Sequence, residues 1–94
     1  MARVSVFICG RVQGVFYRDF VRQRAERLGI EGTVQNLDDG TVMIYACGSG
    51  ETLDDFLDIL YEGSPKSKVD RIEVAPLDKG KEFRGVFRVI GFRK

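Results

Sequence analysis

VSVFICGRVQGVFYRDFVRQRAERLG, residues 4–29, changes its periodicity once, and that change sets the order of the first two elements. Val4, Val6 and Ile8 alternate with Ser5 and Phe7, which is the period of a strand with one buried face; Gly10 is expected to end it. From Tyr17 onward, Phe20, Val21, Ala25 and Leu28 recur at helical spacing, and Gly29 stands where a left-handed glycine closes a helix. GRVQGVFYR, residues 10–18, is the junction between the two.

The rest of the chain extends that reading. Thr33 and Val34 open a β-prone stretch, Leu37-Asp38-Asp39-Gly40 carries turn chemistry, and Val42 to Cys47 resumes as an apolar strand, so a hairpin is expected. Leu53, Phe56, Leu57, Leu60 and Tyr61 form one face of a second helix, with Ser49 as its cap and Gly63-Ser64-Pro65 as its stop. Val69 to Ala75 and Phe83 to Phe92 alternate as two further strands. The order β-α-β-β-α-β with an extra C-terminal strand predicts an α+β, ferredoxin-like sandwich: an antiparallel sheet with both helices on one face. With 94 residues and no internal repeat or linker, residues 1–94 are expected to form a single domain.

Composition narrows the function. With 44% hydrophobic and 31% charged residues, and no apolar run near the ~18 residues of a membrane span, the sequence describes a cytoplasmic protein with no membrane association. The net charge of +1 conceals a segregation. Six arginines face only Asp19 and Glu26 within residues 1–29, whereas residues 37–62 hold seven acids and neither Lys nor Arg. An electropositive first third suits small anions, and the acidic middle argues against a nucleic-acid surface. The chain has no histidine, which leaves neither a Cys-His nucleophile pair nor a histidine zinc site. Adjacent Asp38 and Asp39 are taken to shape the turn, and no metal or cofactor is expected. Cys9 and Cys47 would end neighbouring antiparallel strands on the order of 20 Å apart, so two free thiols are predicted.

The junction is suited to an anion. Backbone N–H groups at a helix N-terminus are unpaired and sit at the positive end of the helix dipole. Gly14 can bring the backbone close to a ligand or take positive φ. Arg18, one turn into the helix, could fold its planar guanidinium over the same space, or be an ordinary exposed helix arginine. Arg11 is read as structural, with its head meeting Asp38 or Asp39. Of Phe16 and Tyr17, one is expected at the entrance and the other in the core. The loop lacks the lysine and hydroxyl of a Walker motif, and GSG at 48–50 continues to Leu53 rather than to a third glycine.

Two segments together, GRVQGVFYR at 10–18 and AERLGIEGTVQNLDDGTV at 25–42, resemble the signatures of acylphosphatases. The likeness continues through GSPKSKVDRIEV at 63–74 and the closing FRVIGF; Thr33 stands where that family usually carries an aromatic residue. The resemblance implies hydrolysis of acyl phosphates to carboxylate and inorganic phosphate, without metal or cofactor; separately, no long exposed apolar edge suggests an obligate partner, so a monomer is expected. The resemblance also implies that Arg18 binds phosphate, that the amides of Gln13, Gly14, Val15, Phe16 and Tyr17 form the phosphate loop with Arg18, and that Asn36 positions the attacking water. By itself Asn36 is also an ordinary turn residue before Asp-Asp-Gly. The alternative function is a non-catalytic anion- or RNA-binding module on the same fold, for which RGVFRVIGF at 84–92 is only a faint echo of an RNA-binding aromatic strand.

Overall fold

The computed structural model describes residues 2–14, 16–77 and 85–90. Seven elements follow in the expected order: β1 (Ala2–Arg11), α1 (Tyr17–Leu28), β2 (Glu31–Asn36), β3 (Val42–Gly48), α2 (Gly50–Glu62), β4 (Lys68–Pro76) and β5 (Phe87–Ile90). Local signals act where they stand in the sequence. Gly29 closes α1 at φ 73°, its N–H reaching the carbonyls of Ala25 and Glu26. The Ser49 hydroxyl accepts from the Thr52 amide to cap α2.

The five strands lie in the order β4-β1-β3-β2-β5. β1 runs antiparallel to both β3 and β4, and β2 antiparallel to β3. The four strands of the sandwich are antiparallel as expected, and the extra C-terminal strand, whose direction the sequence left open, pairs parallel with β2, with Val34 opposite Val89 and Gln35 opposite Ile90, which makes the sheet mixed. The physical reason is directional. β4 runs parallel to β3, so a chain that reverses once after β4 and reaches the far edge travels alongside β2. Alternation reveals a strand but not its neighbour. Residues 83, 84, 91 and 92 of the expected last strand lie outside the described residues.

Both helices bury one stripe against the sheet. Tyr17, Val21 and Ala25 of α1 and Leu53, Phe56 and Leu60 of α2 enclose a core with Val6, Ile8, Val34 and Ile44 from the strands. Each large side chain fully buried there contributes about 1.5–3 kcal/mol. Phe56 meets Phe87 edge-on at 6.1 Å, which fastens α2 to β5. The acids Asp54, Asp55, Asp58 and Glu62 take the exposed face of α2. Cys9 and Cys47 are both free thiols, and the partner of Cys47 on β1 is Arg3, six positions from Cys9.

Gly10 does not end β1. The strand continues to Arg11 across a register shift between Cys9 and Gly10, where β4 carries Asp70 as an extra residue, a bulge. At φ 134° a Cβ on residue 10 would run into the carbonyl oxygen of Lys68 and lie 2.8 Å from the amide of Asp70. Gly10→Ala is therefore expected to destabilise the fold by roughly 1–3 kcal/mol or more, measured as a lower denaturation midpoint at an unchanged slope.

Candidate functional site

The site assembles at one end of the sheet. Ile8, Val42 and Asn36 form a row across β1, β3 and β2. The chain beyond Ile8 passes over that end before entering α1. Asn36 shares strand parity with buried Val34 and so points to the face the helices cover.

Within the loop, Gly14 has φ 75° and Phe16 φ 61°, both left-handed. Positive φ at glycine follows from its missing Cβ, but at a bulky aromatic it is strained and rare. Phe16 is also the N-cap residue of α1, and among the described residues no side chain caps that terminus. The first amides of α1 thus keep the positive end of the helix uncovered by any side chain. Val15 lies outside the described residues.

A cleft of about 460 Å³ opens here, lined by Val12, Gly14, Phe16, Tyr17, Arg18, Asp19, Arg22, Asn36 and Val89. Five of the residues singled out in the sequence, Gly14, Phe16, Tyr17, Arg18 and Asn36, thus share one space. Arg18 donates from Nη1 to the Ile90 carbonyl at 2.9 Å. Ile90 neighbours Gln35, one residue before Asn36, so this bond draws the guanidinium toward the end of β2 that carries Asn36. The Oδ1 of Asn36 is buried and has no hydrogen-bond partner among the described residues. A buried acceptor left in that state costs about 1–3 kcal/mol, a cost that a bound water or ligand group donating to it offsets.

The two aromatic residues divide as expected. Phe16 is 85% exposed at the cleft rim, whereas Tyr17 is 1% exposed and donates its phenol to the Leu60 carbonyl at 2.8 Å. Burial pushes the Tyr17 phenol well above its ordinary pKa. Gln13 does not line the cleft: its side chain donates to the carbonyls of Leu37, at 2.8 Å, and Thr41, at 2.9 Å. Arg11 does not meet the hairpin acids. It is exposed at the end of β1, and Asp39 instead accepts from the hydroxyl and amide of Thr41 at 2.6 and 3.0 Å, which holds its carboxyl below the usual range.

Sequence reading missed Val89, which the parallel pairing of β5 carries to the cleft, and Arg22. The guanidinium of Arg22 is held by Asp19 at 2.8 Å and Glu26 at 3.1 Å, so its charge is locally compensated. Its spacing of three from Asp19 and four from Glu26 was the available signal.

An α+β sandwich whose junction loop, helix N-terminus and arginine converge on one cleft defines a small anion-directed domain. The chain belongs to the acylphosphatase family, whose model matches residues 4–89. It is 47% identical over 72 residues to an acylphosphatase of Rubrobacter xylanophilus, an alignment covering 77% of this chain and 66% of that protein. With an acylphosphatase of Salinibacter ruber it shares 41% over 87 residues, covering 93% and 90%. The crystal structure of an acylphosphatase from Bacillus subtilis superimposes with a TM-score of 0.91 at 35% identity, covering 97% of this chain and all of that one. These likenesses support an acylphosphatase over the non-catalytic module. Among the described residues no helix is long and apolar enough to cross a membrane.

The buried phenol beside the loop yields a pH prediction. Because the folded pKa of Tyr17 is raised, its stabilising contribution is complete below the unfolded value near ~10 and is lost as pH rises above it. The wild type is expected to lose melting temperature more steeply between pH 9 and 11.5 than Tyr17→Phe, although Tyr17→Phe starts lower by about 1 kcal/mol through loss of the Leu60 bond. Thermal melts of both proteins across that range check it; parallel curves would contradict the assignment.

Proposed function

We propose that the protein hydrolyses the carboxyl–phosphate bond of small acyl phosphates, releasing a carboxylate and inorganic phosphate, with Arg18 and Asn36 as its catalytic residues. The observation that carries this is the placement of Gly14, Arg18 and Asn36 around one cleft at the uncapped start of α1. The leaving carboxylate has a conjugate acid of pKa near ~4, so it departs without protonation. Two tasks remain: to neutralise the charge of the phosphoryl group and to hold a water in line behind phosphorus.

Arg18 and the amides of residues 13–17 take the first. A guanidinium presents five donors in a rigid plane that matches phosphate oxygens, and the helix N-terminus adds a fixed positive field. Asn36 takes the second. Its neutral carboxamide accepts from water without adding negative charge beside an anionic substrate, as an aspartate would, and the unpaired Oδ1 fits that role. The water proton passes to a phosphate oxygen of the substrate, which asks nothing of a side-chain base. Phe16 and Val89 give the acyl group an apolar rim. Neither metal nor cofactor enters this scheme. The protein acts as a cytoplasmic single-domain monomer, on acyl phosphates and inorganic phosphate, and not on nucleic acid.

Turnover of benzoyl phosphate in the presence of a metal chelator tests the reading. Asn36→Ala is expected to lower kcat about 10²- to 10³-fold while phosphate still competes. Arg18→Ala is expected to lose both turnover and phosphate inhibition, and Arg18→Lys to stay poor because it keeps the charge and loses the fork. Near-normal turnover by folded Asn36→Ala, or unchanged phosphate inhibition in Arg18→Ala, would refute the assignments.

A further inference from the structure

Gln13 belongs to the junction loop by sequence, yet its side chain leaves the loop. Nε2 donates to the carbonyl oxygens of Leu37, at 2.8 Å, and Thr41, at 2.9 Å, across 24 and 28 residues of sequence. A carboxamide nitrogen has two hydrogens, and each finds one acceptor. The opposite amide orientation would set Oε1 against two carbonyl oxygens, so the bonding pattern itself fixes which atom donates.

Both acceptors are already parts of the turn. Leu37 donates from its amide to Thr41 at 2.9 Å, and Gly40 donates to the Leu37 carbonyl at 3.2 Å. Gln13 therefore grips the two main-chain groups that define the hairpin neck, one residue beyond Asn36. The loop it belongs to has left-handed residues at 14 and 16, and so lacks a regular ladder of its own.

We propose that Gln13 is a positioning residue: its carboxamide locks the phosphate loop to the hairpin neck, fixing the distance between the group that holds phosphorus and the Asn36 carboxamide that aims water at it. The inference rests on the reading of the site given above and adds a part to it. In-line attack tolerates little displacement, and a misplacement of about 1 Å costs on the order of 10²-fold. The strap acts on attack geometry, not on phosphate affinity, because the loop amides and Arg18 are covalently on the same side of it.

The test is a double-mutant cycle with benzoyl phosphate as substrate and inorganic phosphate as competing probe. Gln13→Met keeps the length of the side chain and removes both donors. Expected is a fall in kcat of about 10- to 100-fold, with the phosphate inhibition constant held within about threefold. In an Asn36→Ala background the same change is expected to cost less than about threefold, because water is no longer aimed there. Should Gln13→Met melt below the assay temperature, Gln13→Asn is read by the same criteria, since a shorter amide cannot span both carbonyls. A folded variant with kcat within about threefold of wild type, or an equal loss in both backgrounds, overturns the strap while leaving Asn36 and Arg18 in place. Normal turnover by Asn36→Ala overturns the reading of the site, and the strap with it.

Discussion

The hydrogen bond from the Tyr17 phenol to the Leu60 carbonyl fixes where α1 begins. Leu60 lies near the C-terminal end of α2, where carbonyls have no partner within the helix, and Tyr17 is the first residue of α1. One buried donor therefore closes an open valence on one helix and seats the start of the other. With that start seated, Phe16 can hold its left-handed backbone and the loop can arch over the end of the sheet. Were α1 to begin elsewhere, Arg18 would not reach the Ile90 carbonyl or share a cleft with Asn36.

The same device recurs along the segment. Gln13, Tyr17 and Arg18, within six residues of chain, each donate to main-chain carbonyls on a different element: the hairpin neck, α2 and β5. The loop is thus fastened on three sides by acceptors that belong to the scaffold itself. Main-chain carbonyls carry no formal charge and do not titrate, so none of these acceptors is lost to protonation around neutrality. Among the described residues, the pairs of Arg22 with Asp19 and Glu26 and of Arg71 with Glu73 lie on exposed surfaces where ion pairs contribute little.

Most of the architecture was legible because its signals are local. Helical spacing with Ser49 and Gly29 located two helices, and Asp-Asp-Gly located the hairpin. The shared cleft of Arg18, Gly14 and Asn36 was foreshadowed only by two signature segments taken together, since each residue alone suits an ordinary helix, turn or loop. What escaped depends on distance or on strain. The parallel course of β5 is set by which edge the chain reaches, and Val89 came to the cleft with it. Gly10 looks like a terminator, but it lies opposite a bulge in β4, where Asp70 is the extra residue, and pairing continues to Arg11. Phe16 carries no sequence mark of left-handed geometry, and nothing in Gln13 announces that its side chain and not its amide reaches the hairpin. Asp39 accepts from Thr41, its neighbour two residues on, while Arg11 stands exposed at the end of β1.

The outer strand β4 presents Lys68, Asp70, Arg71 and Glu73, all exposed, and ends at Pro76. Charges of both signs and a terminal imino acid make this border a poor template for another extended chain. Growth of the sheet by stacking copies edge to edge is therefore discouraged on that side, which protects a domain of this size at high concentration and during refolding.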